Sequence, residues 1–181
     1  MFTRRELIKT SIAGGILLAA IRVAHGPFKY DPVAPEDTEY GFYFLTEKDR
    51  AVVVALSPVI LAIDPAGNGN KRVERINDIV RGVDRAISGL LPSVQSEVRD
   101  LFNILNFPIT RRLLCGVWQP WLLAEVDDID RFLSSWQHSR FLLLRSGYQA
   151  LHELVTASWY GNPRSWVEIG YERPPDLGEI E

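Results

Sequence analysis

The stretch Ser139-Arg140-Phe141-Leu142-Leu143-Leu144-Arg145-Ser146-Gly147-Tyr148-Gln149-Ala150-Leu151-His152-Glu153-Leu154-Val155-Thr156-Ala157-Ser158-Trp159-Tyr160 decides the fold class. Phe141, Leu142, Leu144, Tyr148, Leu151, Leu154, Val155 and Ala157 recur at helical spacing, and Gly161 follows where a helix places its C′ residue. Working outward, the acidic turn Asp127-Asp128-Ile129-Asp130 opens a preceding helix that carries Phe132, Leu133 and Trp136, with acids where the helix dipole favours them. A helix is expected from Thr110 to Trp118, ended by Pro120, and Pro108 breaks the chain before it. Val94, Val98, Leu101, Phe102 and Leu105 mark another, separated by Leu91-Pro92-Ser93 from a long one at about Lys71 to Leu90.

In that long helix Val73, Ile76, Val80, Val83, Ile87 and Leu90 form one face, with Arg72, Arg75, Asp78 and Arg85 on the other. Further upstream, Thr46 is an N-cap with Asp49 at the capping-box position, opening the apolar run Ala51 to Ile63. That run contains Pro58 and is too short to span a bilayer, so it reads as a buried central helix. Asp64 to Asn70 is a loop. No sustained period-two alternation, repeat or low-complexity segment interrupts the pattern. The expected fold is all-α: a compact irregular bundle of five to seven helices spanning residues 45–181, with an irregular C-terminal tail from Asn162.

The chain has 181 residues, 46% hydrophobic and 24% charged, enough for a single domain with its own core. A net charge of −3 without a basic stripe argues against nucleic-acid binding. The first 24 residues carry Arg4, Arg5, Lys9 and Arg22 against Glu6 alone, a local charge of +3 that leaves −6 for the rest. Thr3-Arg4-Arg5-Glu6-Leu7-Ile8-Lys9 has the twin-arginine export pattern, with Arg4, Arg5, Leu7 and Lys9 as its signal residues. It precedes the apolar run Ile12 to Ile21, whose helical length of about 15 Å falls short of the roughly 30 Å of bilayer hydrocarbon. Residues 1–24 therefore read as a signal peptide or signal anchor. Neither Leu18-Ala19-Ala20 nor Arg22-Val23-Ala24 has a suitable residue three before the cut, so cleavage and anchoring to the inner membrane both stay open. Residues 25–44, with Pro27, Pro32 and Pro35, read as an extended linker.

Catalytic chemistry is hard to assemble. His25, His138 and His152 have no metal-ligand spacing, and the Asp127–Asp130 cluster is explained as a first helical turn. Gly67-Asn68-Gly69-Asn70 lacks the context of a phosphate loop and reads as a turn. Cys115, among Leu113, Leu114 and Val117, is expected to be a small buried hydrophobe, with an intermolecular disulfide as the alternative for an unpaired cysteine in an exported protein. Neither a catalytic residue nor a metal or cofactor is expected in this chain. The tryptophans Trp118, Trp121, Trp136, Trp159 and Trp166 are many for a small bundle; they either cap its core or anchor an interface. The interface candidates are Trp159, Tyr160, Asn162, Pro163, Trp166 and Tyr171.

These last residues carry a resemblance. Ala157-Ser158-Trp159-Tyr160-Gly161-Asn162-Pro163 with Ser165-Trp166 and Ile169-Gly170-Tyr171 resembles the C-terminal signature of the gluconate 2-dehydrogenase subunit 3 family. The twin-arginine leader, the Pro-rich stretch and Leu45-Thr46-Glu47-Lys48-Asp49-Arg50 are similar to that family's front end, so the resemblance runs nearly the whole chain. Glu172-Arg173 departs from it where Pro-Gly is usual. The resemblance implies a non-catalytic periplasmic small subunit that supplies twin-arginine export and folding help to a leaderless FAD-dependent dehydrogenase of the glucose-methanol-choline type. Its partners would be that FAD-bearing catalytic subunit, the twin-arginine translocase and a cytochrome c subunit. The alternative is a stand-alone periplasmic helical protein that binds an apolar or aromatic ligand between its helices.

Overall fold

A computed structural model describes Asp37, residues 40–63, residues 69–168 and Gly170, apart from the side chains of 167 and 168. The signal residues Arg4, Arg5, Leu7 and Lys9, the linker before Asp37, residues 64–68 of the expected loop 64–70 and the tail with Tyr171 lie outside the described residues, and the last two residues of that expected loop, Gly69 and Asn70, are helical instead. The described part is all-α and falls within one compact unit, Pro32–Glu181. Its helices are α1 (Glu47–Ile60), α2 (Gly69–Ser88), α3 (Pro92–Asn106), α4 (Pro108–Leu114), α5 (Val126–Gln137), α6 (Leu142–Tyr160) and α7 (Pro163–Glu168), with a 3₁₀ turn at Trp121–Leu123 before α5.

The helix α1 sits at the centre, against α2, α3, α5, α6 and the 3₁₀ turn. Its entry is the expected capping box: the Thr46 hydroxyl accepts from the Asp49 N–H at 3.3 Å, and the Asp49 carboxylate accepts from the Thr46 N–H at 2.9 Å. Its exit is less regular. Pro58 lies inside the last turns, and the helix closes with Ile63 N–H on Pro58 C=O and Ala62 N–H on Val59 C=O, a Schellman arrangement with Ala62 at φ +49°. The core gathers Val52, Val53 and Leu56 of α1 with Ile79, Val83 and Ile87 of α2, Phe102 and Leu105 of α3, Phe132 and Trp136 of α5, and Leu151 and Val155 of α6.

The most extensive helix contact is α2 on α6. It is close because Gly82 faces Ser158; a Cβ on Gly82 would lie 2.8 Å from the Ser158 Cβ. Pro108 divides two helices as expected, with Phe107 extended between them, and it sits at the first position of α4, where the missing N–H costs no bond. Two further expectations need correction. The fourth helix runs Pro108–Leu114 and not Thr110–Trp118, leaving Trp118 exposed beyond its end. Gly161 is the C-cap of α6 in a right-handed conformation; glycine is required there because a Cβ would come 2.8 Å from the Ala157 carbonyl oxygen.

Candidate functional site

The end of the expected linker is part of the fold. Tyr40, Phe42 and Phe44 alternate along an extended segment, and each lies under an arginine: Arg81 at 5.8 Å, Arg50 at 4.5 Å and Arg99 at 4.0 Å from the ring centres. The fully buried Asp84 of α2 receives the backbone N–H groups of Tyr43 (3.0 Å), Phe44 (2.9 Å) and Leu45 (2.8 Å) and the Tyr40 hydroxyl (3.2 Å). One carboxylate thus satisfies three donors that would otherwise be stranded where the chain enters α1. Burial and the adjacent Asp84 charge push the Tyr40 phenol above its ordinary value. Asp37 adds a two-pronged pair with Arg81 at 2.7 and 2.9 Å. Residues 25–44 are therefore not linker throughout, since Tyr40–Phe44 are held on α1 and α2. Asp49 has a second use besides its cap, accepting from Asn106 at 2.6 Å and pairing with Arg99.

The aromatic block at the end of α6 is spent mostly on the fold. Trp159 is 7% exposed and lies under Arg75, whose guanidinium is 5.2 Å from the ring centre. Asn162 accepts the Arg164 N–H at 3.1 Å as an N-cap, and Pro163 takes the first position of α7. Trp166 donates its indole N–H to the Tyr160 carbonyl at 2.8 Å, while Ser165 is buried on the Asn162 carbonyl at 2.7 Å. Of the interface candidates Trp159 is thus buried in the fold, Asn162 and Trp166 are half-buried with bonds inside the chain, and Pro163 and Tyr160 are exposed, Tyr160 to 52%.

Trp166 shares its device with two other tryptophans. Trp121 donates to the Leu105 carbonyl at 3.0 Å and Trp136 to the Leu114 carbonyl at 2.9 Å. All three acceptors lie in the final turn of a helix, where carbonyls lack intrahelical donors. Trp121 and Trp136 thus fill the core with the indole and close a helix end with its N–H, and Trp166 closes a helix end from a half-buried position. Cys115 is buried at the end of α4, and burial pushes its thiol up to about 12. A buried cysteine of this kind packs as a small hydrophobe.

Apolar surface accumulates at the other end of α6. A groove of about 400 Å³ runs between α3 and the start of α6, with Val98, Leu101, Leu114, Trp136 and Leu144 among its lining. Gly147 brings α6 down onto its floor, where a Cβ would lie 2.6 Å from the Trp136 ring. Beside it, Phe141, Leu142 and Leu143 are 57%, 69% and 74% exposed, and Leu113 on α4 is also exposed. Periodicity could not single out these residues, because a run of four apolar residues at a helix start supplies more of them than the inward face can hold. Among the described residues no group of His, Cys, Asp or Glu is arranged to hold a metal ion, and no helix is long and apolar enough to cross a membrane. No family model, curated protein or solved structure matches the chain.

Proposed function

We propose that this chain is a non-catalytic accessory subunit of the periplasm, which carries a leaderless FAD-dependent sugar or alcohol dehydrogenase through the twin-arginine route and stabilises it. The flavin belongs to the partner, and a cytochrome c subunit is the natural electron acceptor of such a complex. The observation that supports the reading most is the uncovered apolar surface at the start of α6, from Phe141 to Leu143, by the groove floored by Trp136. Exposed apolar side chains of this size, clustered at one helix end, favour a protein partner over permanent contact with water. The twin-arginine pattern at Arg4-Arg5 and the resemblance of the Trp159–Pro163 block point the same way.

The test is affinity purification of the full-length, C-terminally tagged chain from its native envelope, with mass spectrometry and a flavin absorbance scan. Co-purification of a flavoprotein that lacks its own leader is expected; a colourless chain without a large partner would overturn the reading. The groove itself favours one second reading, a stand-alone protein that takes an apolar ligand against Trp136. In that case the purified chain alone would bring down a small apolar molecule, detectable by native mass spectrometry.

A further inference from the structure

The charged residues that line the groove between α3 and α6 are both acids, Glu97 and Asp100, three apart and so on one face of α3. Its floor is apolar, formed by Leu101, Trp136 and Leu144, and the fit of Gly147 against the Trp136 ring fixes its depth. An open slot between two helices of a bundle, apolar below and acidic along one rim, matches the chemistry of an amphipathic helix with a basic flank. We propose that the groove receives such a helix from the catalytic subunit: apolar residues at i, i+3 or i+4, and i+7 enter the groove, and Lys or Arg beside them face Glu97 and Asp100. This inference rests on the accessory-subunit reading and adds to it the place and the charge of the contact.

A protein helix fits better than the other apolar occupants. A small ligand confined to the groove would leave Phe141 and Leu142, which do not line it, bare, whereas a helix extends past the rim and covers them. A bilayer surface with anionic lipids would meet Glu97 and Asp100 with charge of the same sign. The acidic rim also sets the kinetics, because complementary charge acts on encounter and on the choice of partner.

The experiment places the photo-crosslinker p-benzoylphenylalanine at position 143, and separately at position 160, in the full-length tagged chain expressed in its own host. Crosslinked products are sequenced by mass spectrometry. Position 143 is expected to capture a segment of the flavoprotein that reads as a basic amphipathic helix, and Glu97→Lys with Asp100→Lys should cut that yield more than tenfold. Both acids are exposed, so this variant should keep the parent thermal transition. Capture of the flavoprotein at 160 but not at 143 would overturn the groove proposal and leave the accessory reading intact. Crosslinks from 143 to lipid, to a second copy of the chain or to an acidic segment would overturn it too. If no flavoprotein is recovered from the uncrosslinked wild type, the accessory reading falls and the inference falls with it.

Discussion

The two ends of α6 are built from similar residues and come to opposite uses. At the C-terminal end, Trp159 is buried beneath Arg75, Ser158 meets Gly82 of α2, and Trp166 turns back to bond the Tyr160 carbonyl. At the N-terminal end, Phe141, Leu142 and Leu143 face outward beside a groove. The difference lies in what each end finds across from it. The C-terminal end has α2 close at hand and a short helix, α7, packed on it; the N-terminal end faces the gap along α3, with Trp136 and Leu101 beneath. A large aromatic residue in the sequence is thus no sure sign of an exposed face, whereas a leucine run at a helix start can leave its side chains in water.

Breaking the closed end should have the largest effect. Trp159→Ala empties a core position, and a loss of about 3–5 kcal/mol in urea unfolding is expected; a loss below about 1 kcal/mol would mean that the end is open in solution. Gly82→Ala forces a methyl group against Ser158 and should cost about 1–3 kcal/mol by the same measurement. At the open end Leu143→Glu should change stability by less than about 0.5 kcal/mol while lowering the fluorescence of a bound hydrophobic dye, since the residue is 74% exposed. The exposed Arg164–Asp78 pair, 3.0 Å across α7 and α2, separates packing from charge at the closed end: Arg164→Ala should cost less than about 0.5 kcal/mol and become undetectable at high salt.

The end of α4 supplies a pH counterpart. The Cys115 thiol is raised from 9.0 to about 12, so the fold favours its protonated form. Its contribution to stability is fully present below pH 9 and is lost as pH rises towards 12. A thiol-alkylating reagent at pH 8 should therefore leave the native chain unmodified and react only after denaturant is added; rapid labelling of the native chain would show that Cys115 is reachable after all.

Much of the bundle was legible because helices leave local marks. Thr46 with Asp49, the apolar face Ile76–Val80–Val83–Ile87 and the acidic turn at Asp127 each identify an element within a few residues of their own position. What escaped local reading acts over long separations. Asp84 falls on the buried face of α2 between Val83 and Ile87, an odd place for a charge, and its reason lies about forty residues upstream in the N–H groups of Tyr43 to Leu45. The alternating Tyr40, Phe42 and Phe44 were a period-two signal too short to register beside the prolines. The groove was hidden for the same reason: Val98, Trp136 and Leu144 are all ordinary helix-face residues, and only their assembly leaves a slot.

The three tryptophans bonded to helix-end carbonyls give the molecule a set of internal clocks. The indole protons of Trp121 and Trp136 exchange with deuterated water when their bonds to the ends of α3 and α4 open, so they would time those ends separately within one sample, while the exposed bond of Trp166 at the end of α6 would exchange faster. Trp118, facing solvent, supplies the zero of that scale. A partner helix seated over Trp136 would slow one clock and leave the other two running at their former rates.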